Sequence, residues 1–191
     1  MGLLESFRKP VEPRSIFGSG LMLRFPAMED YAAWAQLREQ SRGFLEPWEP
    51  VWPADDLTLA AYRFRIRRYR DLAADDTCYP YFIFADGRRL LGAVTLTNVR
   101  RGVAQTATLG YWIGEAHARQ GYMNRAIALL LPHAFTALSL HRLEAACLPR
   151  NQASIALLQR AGFEREGFAK SYLQIAGRWE DHLLFAKVAG S

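Results

Sequence analysis

The stretch from Arg119 to Asn124 has the composition of a phosphate-binding loop. It follows an apolar strand that ends near Ile113, and it opens into a helix whose apolar residues recur at spacings of three and four from Ala126 onward. The first turn of a helix leaves backbone N–H groups without partners, and the helix dipole favours a negative charge there. Gly121 has no Cβ that would keep a phosphate away from the backbone. We therefore expect this loop to bind the phosphates of a ligand.

A second polar cluster opens another helix. Asn151 and Ser154 follow directly after an apolar strand that Pro149 ends. Ligands of open sheets bind at the carboxyl ends of strands, where such an amide and hydroxyl would meet them. The same residues also suit an ordinary helix start with Asn151 as the N-cap. Taken alone, these residues favour the ordinary helix start.

The elements that must position these residues alternate along the chain. Periodicity and turn residues predict strands at 21–25, 79–85, 90–98, 105–113, 142–148, 168–175 and 179–188, with helices at 30–42, 57–71, 122–138 and 151–161. This order indicates a single α/β domain, a mixed central sheet of about seven strands with flanking helices. We expect a surface segment at 1–20 and the domain at 21–188. If the fourth and fifth of these strands splay apart, their free edges can bind an extended ligand by main-chain hydrogen bonds.

Length and composition restrict the class of protein. The chain has 191 residues, half of them hydrophobic, which is enough for one domain with a full core. Its formal net charge of +5 either favours an anionic cofactor or a partner near nucleic acid, or only aids solubility. No apolar run is long enough to span a membrane and no signal-peptide core is found, so we expect a cytoplasmic protein. Cys78 and Cys147 make no disulfide framework, and since His117, His133 and His141 lack metal-ligand spacing, we expect no metal.

The loop resembles the pyrophosphate loop of the GNAT family of acetyl-CoA-dependent N-acetyltransferases, which reads Gln/Arg-x-x-Gly-x-Gly/Ala. Ala118 and Met123 stand at the outer positions here, so Gly121 and the basic and amide side chains before it carry the likeness. The Asn-x-x-Ser of residues 151–154, followed by the Ala-Gly-Phe of residues 161–163, is similar to the family segment that lies along the pantetheine arm of CoA.

Longer stretches are similar to one branch of this family, the RimJ/RimL branch, which acetylates the N-termini of ribosomal proteins. Within that branch the chain most resembles the RimJ group, the ribosomal-protein-alanine acetyltransferases. The similarity runs from about Arg14 to Val188. The stretches that carry it are residues 44–50, 98–102, 140–144, 163–173 and 177–182.

The resemblance implies a GNAT-like fold, with the strands at 105–113 and 142–148 splayed for CoA, and acetyl-CoA as the co-substrate. The cofactor-binding residues that it implies are Trp112, Ile113, Gly114, Arg119, Gln120, Gly121, Tyr122, Met123, Asn124, Asn151 and Ser154.

The implied reaction is acetyl transfer to the N-terminal α-amine of a ribosomal protein, an alanine amine, by direct attack. An α-amine has a pKa of about 8, against ~10.4 for lysine, so weak base assistance is enough. The resemblance implies that Ser154 protonates the leaving thiolate, while backbone N–H groups of residues 111–114 stabilise the oxyanion. Many family members carry a glutamate near the position that Thr108 occupies here. We therefore take Glu144 as the first candidate for the base, followed by Tyr172, Asp181 and His182.

Two other functions stay open at this point. One is an acetyltransferase for a free small amine, and the other is a CoA-binding ribosome-assembly factor with little turnover. The arginine-rich helix at 57–71 is either a solvated face or a docking surface for an acidic partner. The aromatic loop at 44–52 either covers the edge of the core or acts as a substrate lid. We find no nucleic-acid motif, expect no membrane partner, and draw nothing on the oligomeric state.

Overall fold

An eight-stranded mixed sheet forms the centre of the structure. The computed structural model describes residues 15–190. The strands lie in the order β1-β2-β3-β4-β5-β6-β8-β7 across the sheet. They are β1 (Ile16–Gly18), β2 (Leu21–Arg24), β3 (Tyr79–Ala85), β4 (Arg89–Arg100), β5 (Thr106–Ile113), β6 (Arg142–Cys147), β7 (Glu164–Ile175) and β8 (Arg178–Val188). All neighbours are antiparallel except β5 and β6.

The parallel pair of β5 and β6 is short. Its register comprises three pairs, Thr106 with Arg142, Ala107 with Leu143 and Thr108 with Glu144. β5 then continues to Ile113 alongside β4, and β6 continues to Cys147 alongside β8. Within residues 15–190 no further pair joins β5 to β6. The facing edges of the two strands beyond Thr108 and Glu144 are therefore unpaired, and we call this region the β5–β6 opening.

Helices cover the two faces of the sheet with different kinds of side chains. On one face, the α4 face, α4 (Tyr122–Thr136) and α5 (Gln152–Arg160) pack over a mainly aliphatic core that includes Ile127, Leu130 and Leu143. On the other, the α3 face, α1 (Tyr31–Gln40) and α3 (Leu59–Ala74) pack over aromatic side chains. These are Trp34, Tyr62, Phe82 and Phe84. The short helix α2 (Arg42–Leu45) follows α1.

Local sequence explains where the helices begin. The side chain of Thr58 accepts a hydrogen bond from the N–H of Ala61 at the start of α3, and that of Asn151 accepts one from Ser154 at the start of α5. The predicted N-cap role of Asn151 is thus confirmed. No helix within residues 15–190 is both long and apolar enough to cross a membrane.

The structure corrects the predicted strand count of about seven. The additional strand is β1, which lies inside the segment 1–20 and pairs with β2. Three residues are too few for an alternating pattern to be seen, and this is why the sequence did not show it. Residues 1–14 of that segment lie outside the described residues, and the domain bounds at 21–188 stay a prediction.

Two boundaries also differ. The predicted helix at 30–42 is interrupted at Ser41, which lies between α1 and α2. The hydroxyl of Ser41 accepts a hydrogen bond from the N–H of Glu115 at 2.9 Å. The strand predicted from Phe168 begins at Glu164 instead. β7 is an edge strand with mostly exposed side chains, so its first residues lack the apolar signal that marks a half-buried strand.

Candidate active site

The loop before α4 is a backbone nest for an anion. Six consecutive amide N–H groups, from Arg119 to Asn124, have no hydrogen-bond acceptor within the described part of the chain. The first bond of the helix is donated by Arg125 to the carbonyl of Gly121 at 3.1 Å. Arg119 and Gly121 have φ values of +59° and +77°, and such left-handed turns direct successive N–H groups into one concavity. The geometry fits a pyrophosphate.

The side chains of the loop have separate roles. The Gln120 side chain donates to the carbonyl of Ala116 at 2.8 Å and so fixes the loop from within. Met123 is buried in the core of the α4 face, and only its N–H remains for a ligand. Arg119 is exposed, while Tyr122 and Asn124 are half-buried. A Cβ built on Gly121 meets no atom within 4 Å, which means that the space before the nest is empty.

The end of β5 presents alternate residues to the β5–β6 opening. Gly114 donates its N–H to the carbonyl of Leu91 at 2.8 Å, on the β4 side. In an antiparallel ladder the hydrogen-bonding direction alternates along the strand. Trp112 therefore also points its N–H towards β4, whereas Tyr111 and Ile113 point theirs into the opening. Within residues 111–114, the N–H groups of Tyr111 and Ile113 are therefore the ones that an oxyanion could reach, because those of Trp112 and Gly114 are directed to β4.

Gly114 and Trp112 serve the packing of the site instead. A Cβ on Gly114 would lie 2.4 Å from a methyl group of Leu37, so only glycine lets α1 approach here. The ring of Trp112 lies on the α3 face, with the guanidinium of Arg38 5.0 Å from its centre. The contribution of these two residues to CoA binding stays a prediction, and the geometry favours Tyr111 and Ile113.

On the α4 face, Ser154 lies in a small buried cluster of polar atoms. Its hydroxyl is 2.6 Å from the phenol oxygen of Tyr111. Burial raises the pKa of Tyr111 strongly, so this phenol keeps its proton at neutral pH. Burial likewise raises the pKa of the Cys147 thiol, which Ser154 also reaches by a hydrogen bond. The cluster can supply a proton at the carboxyl end of β6.

On the α3 face, Glu144 borders a groove of about 890 Å³. Thr108, its partner in the β5–β6 register, lines the same groove. Side chains alternate between the faces along each strand, so Glu144 and Thr108 lie opposite the core residues Leu143 and Ala107. The structure thus places the two predicted catalytic residues, Glu144 and Ser154, on opposite faces of the sheet.

Both carboxylate oxygens of Glu144 face a guanidinium group. Arg142 donates to one at 3.0 Å, and Arg100 lies 3.6 Å from the other. The carboxylate is about 37% exposed, which leaves it able to order a water. This position fits proton transfer through water better than direct contact with a substrate.

The other three candidates for the base differ in their surroundings. Asp181 accepts the N–H of Ser171 at 2.8 Å and so holds a bulge between Ala169 and Leu173 in β7. The bulge directs Tyr172 into the groove. His182 is 98% buried against the ring of Tyr172, with Nδ1 2.9 Å from the carbonyl of Glu180. Of these three, the structure brings only Tyr172 to the groove.

A second cavity, of about 190 Å³, adjoins the groove through Arg65 and Tyr69, which line both. Its walls include Trp34, Phe82 and Trp112. Arg38 also lines it, with its side chain only 9% exposed. The Nε atoms of Arg38 and Arg65 are buried and have no hydrogen-bond partner in the part of the chain described. The lining also carries charge, from the guanidinium groups of Arg38 and Arg65 and the carboxylate of Glu49.

The aromatic loop at 44–52 is held in place beside this cavity. Glu49 receives both terminal nitrogens of Arg38, at 2.8 and 2.7 Å, and the indole N–H of Trp52 at 2.7 Å. The guanidinium of Arg38 also stacks 3.9 Å from the centre of the Trp52 ring. The N–H of Ala176, at the tip of the β7–β8 hairpin, donates to the carbonyl of Glu49. The loop forms part of the wall of the site, and its role as a lid stays a prediction.

Gly110 lies between the groove and the small cavity. It shares the α3 face with Thr108 in the groove and Trp112 in the cavity, because side chains alternate along β5. A Cβ on Gly110 meets nothing within 4 Å. The missing side chain therefore leaves a passage on the α3 face between the groove and the small cavity.

Sequence reasoning missed Gly110, the hydroxyl of Tyr111 and the buried Arg38. Gly110 and Tyr111 lie inside the predicted strand at 105–113, whose residues were considered only for their part in the sheet. A glycine within a strand nevertheless signals a close approach of a ligand or backbone. Arg38 carried no signal, because it lies in an ordinary polar position of α1 and gains its role only from Glu49 and Trp52.

The histidines do not form a metal centre. Among residues 15–190, no group of His, Cys, Asp and Glu could hold a metal ion. Burial lowers the pKa of His133, whose Nε2 lies 3.0 Å from the hydroxyl of Tyr81. Desolvation and the nearby Arg89 lower the pKa of His117. Both histidines are therefore neutral at physiological pH.

Comparison with known proteins identifies the family to which this site belongs. Residues 20–164 match the model of the acetyltransferase (GNAT) domain. The chain is 39% identical over 151 residues to the "Probable N-acetyltransferase YjcK" of Bacillus subtilis, covering 78% of this chain and 83% of that protein. It is 33% identical over 162 residues to the "[Ribosomal protein uS5]-alanine N-acetyltransferase" of Escherichia coli, covering 83% and 84%.

A solved structure extends the likeness to three dimensions. "Mycobacterium smegmatis RimJ in complex with CoA-disulfide" superimposes with a TM-score of 0.88 and 35% identity, covering 93% of this chain and 88% of that one. The nest before α4, the short β5–β6 pairing and the domain match thus agree. The chain belongs to the GNAT family and is an acetyl-CoA-dependent N-acetyltransferase.

Proposed function

We propose that this enzyme transfers acetyl from acetyl-CoA to the N-terminal α-amine of a ribosomal protein, with alanine as the preferred first residue. The observation that carries the proposal is the position of Ser154 and Glu144 on opposite faces of the sheet, on either side of the β5–β6 opening. A donor bound on the α4 face and an acceptor bound on the α3 face would meet there. The relatives named for alanine acetylation support the choice of acceptor.

The reaction needs two proton transfers, and each would take place on a different face of the sheet. Acetyl-CoA supplies an activated thioester, whose carbonyl carbon the acceptor amine attacks directly. The N–H groups of Tyr111 and Ile113 point into the opening and would donate to the oxyanion that forms. Ser154 gives its proton to the departing thiolate and takes one from the phenol of Tyr111, 2.6 Å away, and the phenolate then regains a proton from water as the site opens.

The proton of the amine leaves on the other face. Glu144 would accept it through a water in the groove, since its oxygens already face Arg142 and Arg100. Such assistance is weak, and it suits an amine with a pKa of about 8 far better than a lysine amine at ~10.4. The α-amine is therefore the expected acceptor group.

The small cavity favours a small first residue. Its lining combines aromatic rings with the charged groups of Arg38, Glu49 and Arg65. A large apolar side chain would displace water from these groups, and a buried polar group that loses its partner costs about 1–3 kcal/mol. The methyl group of alanine leaves room for that water. We therefore expect leucine as a first residue to be at least about tenfold slower than alanine, since 1.4 kcal/mol corresponds to a factor of about ten.

A peptide panel tests the proposal. The enzyme is incubated with acetyl-CoA and matched peptides that begin with Ala, Ser, Leu or Met and contain one internal lysine, and fragmentation mass spectrometry locates the acetyl group. We expect acetylation at the α-amine, with alanine fastest. Acetyl on lysine, equal rates for Ala and Leu, or faster turnover of free small amines would overturn the proposal. Binding of acetyl-CoA without turnover would identify an assembly factor instead.

The variant Glu144→Gln tests the assigned base in the same assay. Its rate with the alanine peptide should fall most near pH 7 and recover towards pH 9, where the α-amine is already neutral. An equal loss at both pH values would assign Glu144 a structural role.

A further inference from the structure

We propose that the groove on the α3 face selects acceptor peptides that carry an acidic side chain shortly after the first residue. This inference rests on the proposed function, because it assigns the groove to the chain that follows the acetylated amine. It extends that function by naming the chemistry of the preferred substrates, which are acidic N-terminal segments.

The groove lies where the acceptor chain must run. It begins at Thr108 and Glu144, beside the β5–β6 opening, and extends past Asn98 and Arg100 of β4 towards α3. Its volume of about 890 Å³ is that of a site for a ligand of several residues. A free amine or a single amino acid would fill only a small part of it.

The lining of the groove is positively charged. It contains three arginines, Arg65, Arg68 and Arg100, against one carboxylate, that of Glu144. The carboxylate of Glu144 also forms a salt bridge with Arg142, and Arg142 forms a second salt bridge with Glu166. The one acidic residue of the lining therefore does not neutralise three guanidinium groups.

The three arginines differ in what already binds them. Arg65 donates to Asp56 at 2.5 Å, and Arg100 faces Glu144 at 3.6 Å. Arg68 is exposed, and no carboxylate pairs with it within residues 15–190. An acidic side chain of the acceptor would give Arg68 a partner and would compete for the loosely held Arg100.

The expected selectivity is moderate. Ion pairs at exposed positions contribute about 0.2–1 kcal/mol each, and salt screens them. Two arginines that share one carboxylate would then change kcat/KM by about twofold to thirtyfold, since 1.4 kcal/mol corresponds to a factor of about ten. The change should appear mainly in KM, since these side chains bind the acceptor without touching the reacting atoms.

The test uses the full chain and three alanine-initiated peptides that differ at one position, with Glu, Gln or Lys among residues three to five. We expect kcat/KM to decrease from Glu to Gln to Lys, and the differences to shrink in 0.5 M salt. Equal values for the three peptides at low salt would overturn the inference while leaving the proposed function intact. If no peptide is acetylated, the proposed function fails and this inference fails with it.

A charge reversal on α3 identifies the side chain responsible. Arg68→Glu should raise kcat/KM for the Lys peptide and lower it for the Glu peptide, so that the order of the three peptides becomes Lys, Gln, Glu. Arg67→Glu is the matched control, since Arg67 is the neighbouring exposed arginine of the same helix and lies outside the lining. If both variants reverse the preference between the Glu and Lys peptides, the cause is the overall charge of the helix and not Arg68 in the groove. That result would overturn the assignment of this groove.

Discussion

The two faces of the sheet present different kinds of chemical group to a ligand. On the α4 face, the nest at Arg119–Asn124 presents six backbone N–H groups, and the surrounding core is aliphatic. On the α3 face, the groove and the small cavity present guanidinium groups, a carboxylate and aromatic rings that come from several distant elements. On the proposed assignment, the cofactor would thus be bound by main-chain groups and the acceptor by side chains.

This difference has a consequence for how the family can vary. A backbone nest tolerates almost any side chain, provided that the glycine and the helix start are kept. A side-chain groove changes its preference with each substitution. One chain can therefore keep its acetyl donor while its acceptor changes, and experiments on the two faces should give separable effects.

The largest expected effect is on the α4 face. Gly121→Val should abolish acetyl-CoA binding, since its branched side chain would stand in the empty space before the nest and its φ of +77° strains any L residue. Calorimetric titration with acetyl-CoA measures the loss. Gly102→Val is the matched control, because Gly102 has a φ of +66° and equally open surroundings outside the nest. Wild-type affinity in Gly121→Val would break the assignment of the nest.

A smaller effect on the same face separates chemistry from binding. Ser154→Ala should lower kcat by ~10²–10⁴-fold with little change in acetyl-CoA affinity, since general acid assistance acts in the transition state. The N-cap bond survives, because Asn151 accepts from the backbone N–H of Ser154. Tyr111→Phe, which keeps the ring and removes the hydroxyl, should lose less. An unchanged kcat in Ser154→Ala would reduce this residue to a helix-start role.

The smallest effect tests the α3 face. Gly110→Val should raise the KM of the acceptor peptide by about tenfold and leave acetyl-CoA affinity unchanged, because its side chain would enter the passage between groove and cavity. Gly110→Ala should give an intermediate value. Parallel titrations of both variants with acetyl-CoA and with peptide provide the measurement. A loss of acetyl-CoA affinity equal to the loss of peptide affinity would show that the faces are not independent.

The sequence predicted the α4 face well for a physical reason. A nest depends on neighbours in the chain, so Gly121 and the following helix pattern were enough to find it, and the N-cap at Asn151 is local in the same way. Seven of the eight strands were also marked by local periodicity. The exception, β1, has only three residues and gains its stability from pairing with β2.

The acceptor face could not be predicted in the same way. The pairing of Arg38 with Glu49, and the meeting of Glu144 with Arg100, join residues far apart in the chain. Nothing local distinguishes these arginines from solvated ones. The bulge that turns Tyr172 into the groove likewise depends on Asp181 in the neighbouring strand. The sequence could therefore suggest Tyr172 as a candidate, but it could not predict that its side chain lies in the groove.

The position of β8 determines when the sheet can be completed during synthesis. β8 follows β7 in the chain, yet it lies between β6 and β7. β6 therefore keeps a free edge until residues 178–188 have left the ribosome, because β7 forms its strand pairs with β8 and lies beyond it in the sheet. Such an exposed strand edge invites pairing with other chains. A nascent chain stalled before residue 178 should thus depend on chaperones, and the acceptor groove, one wall of which is Tyr172, should be the last part of the enzyme to form.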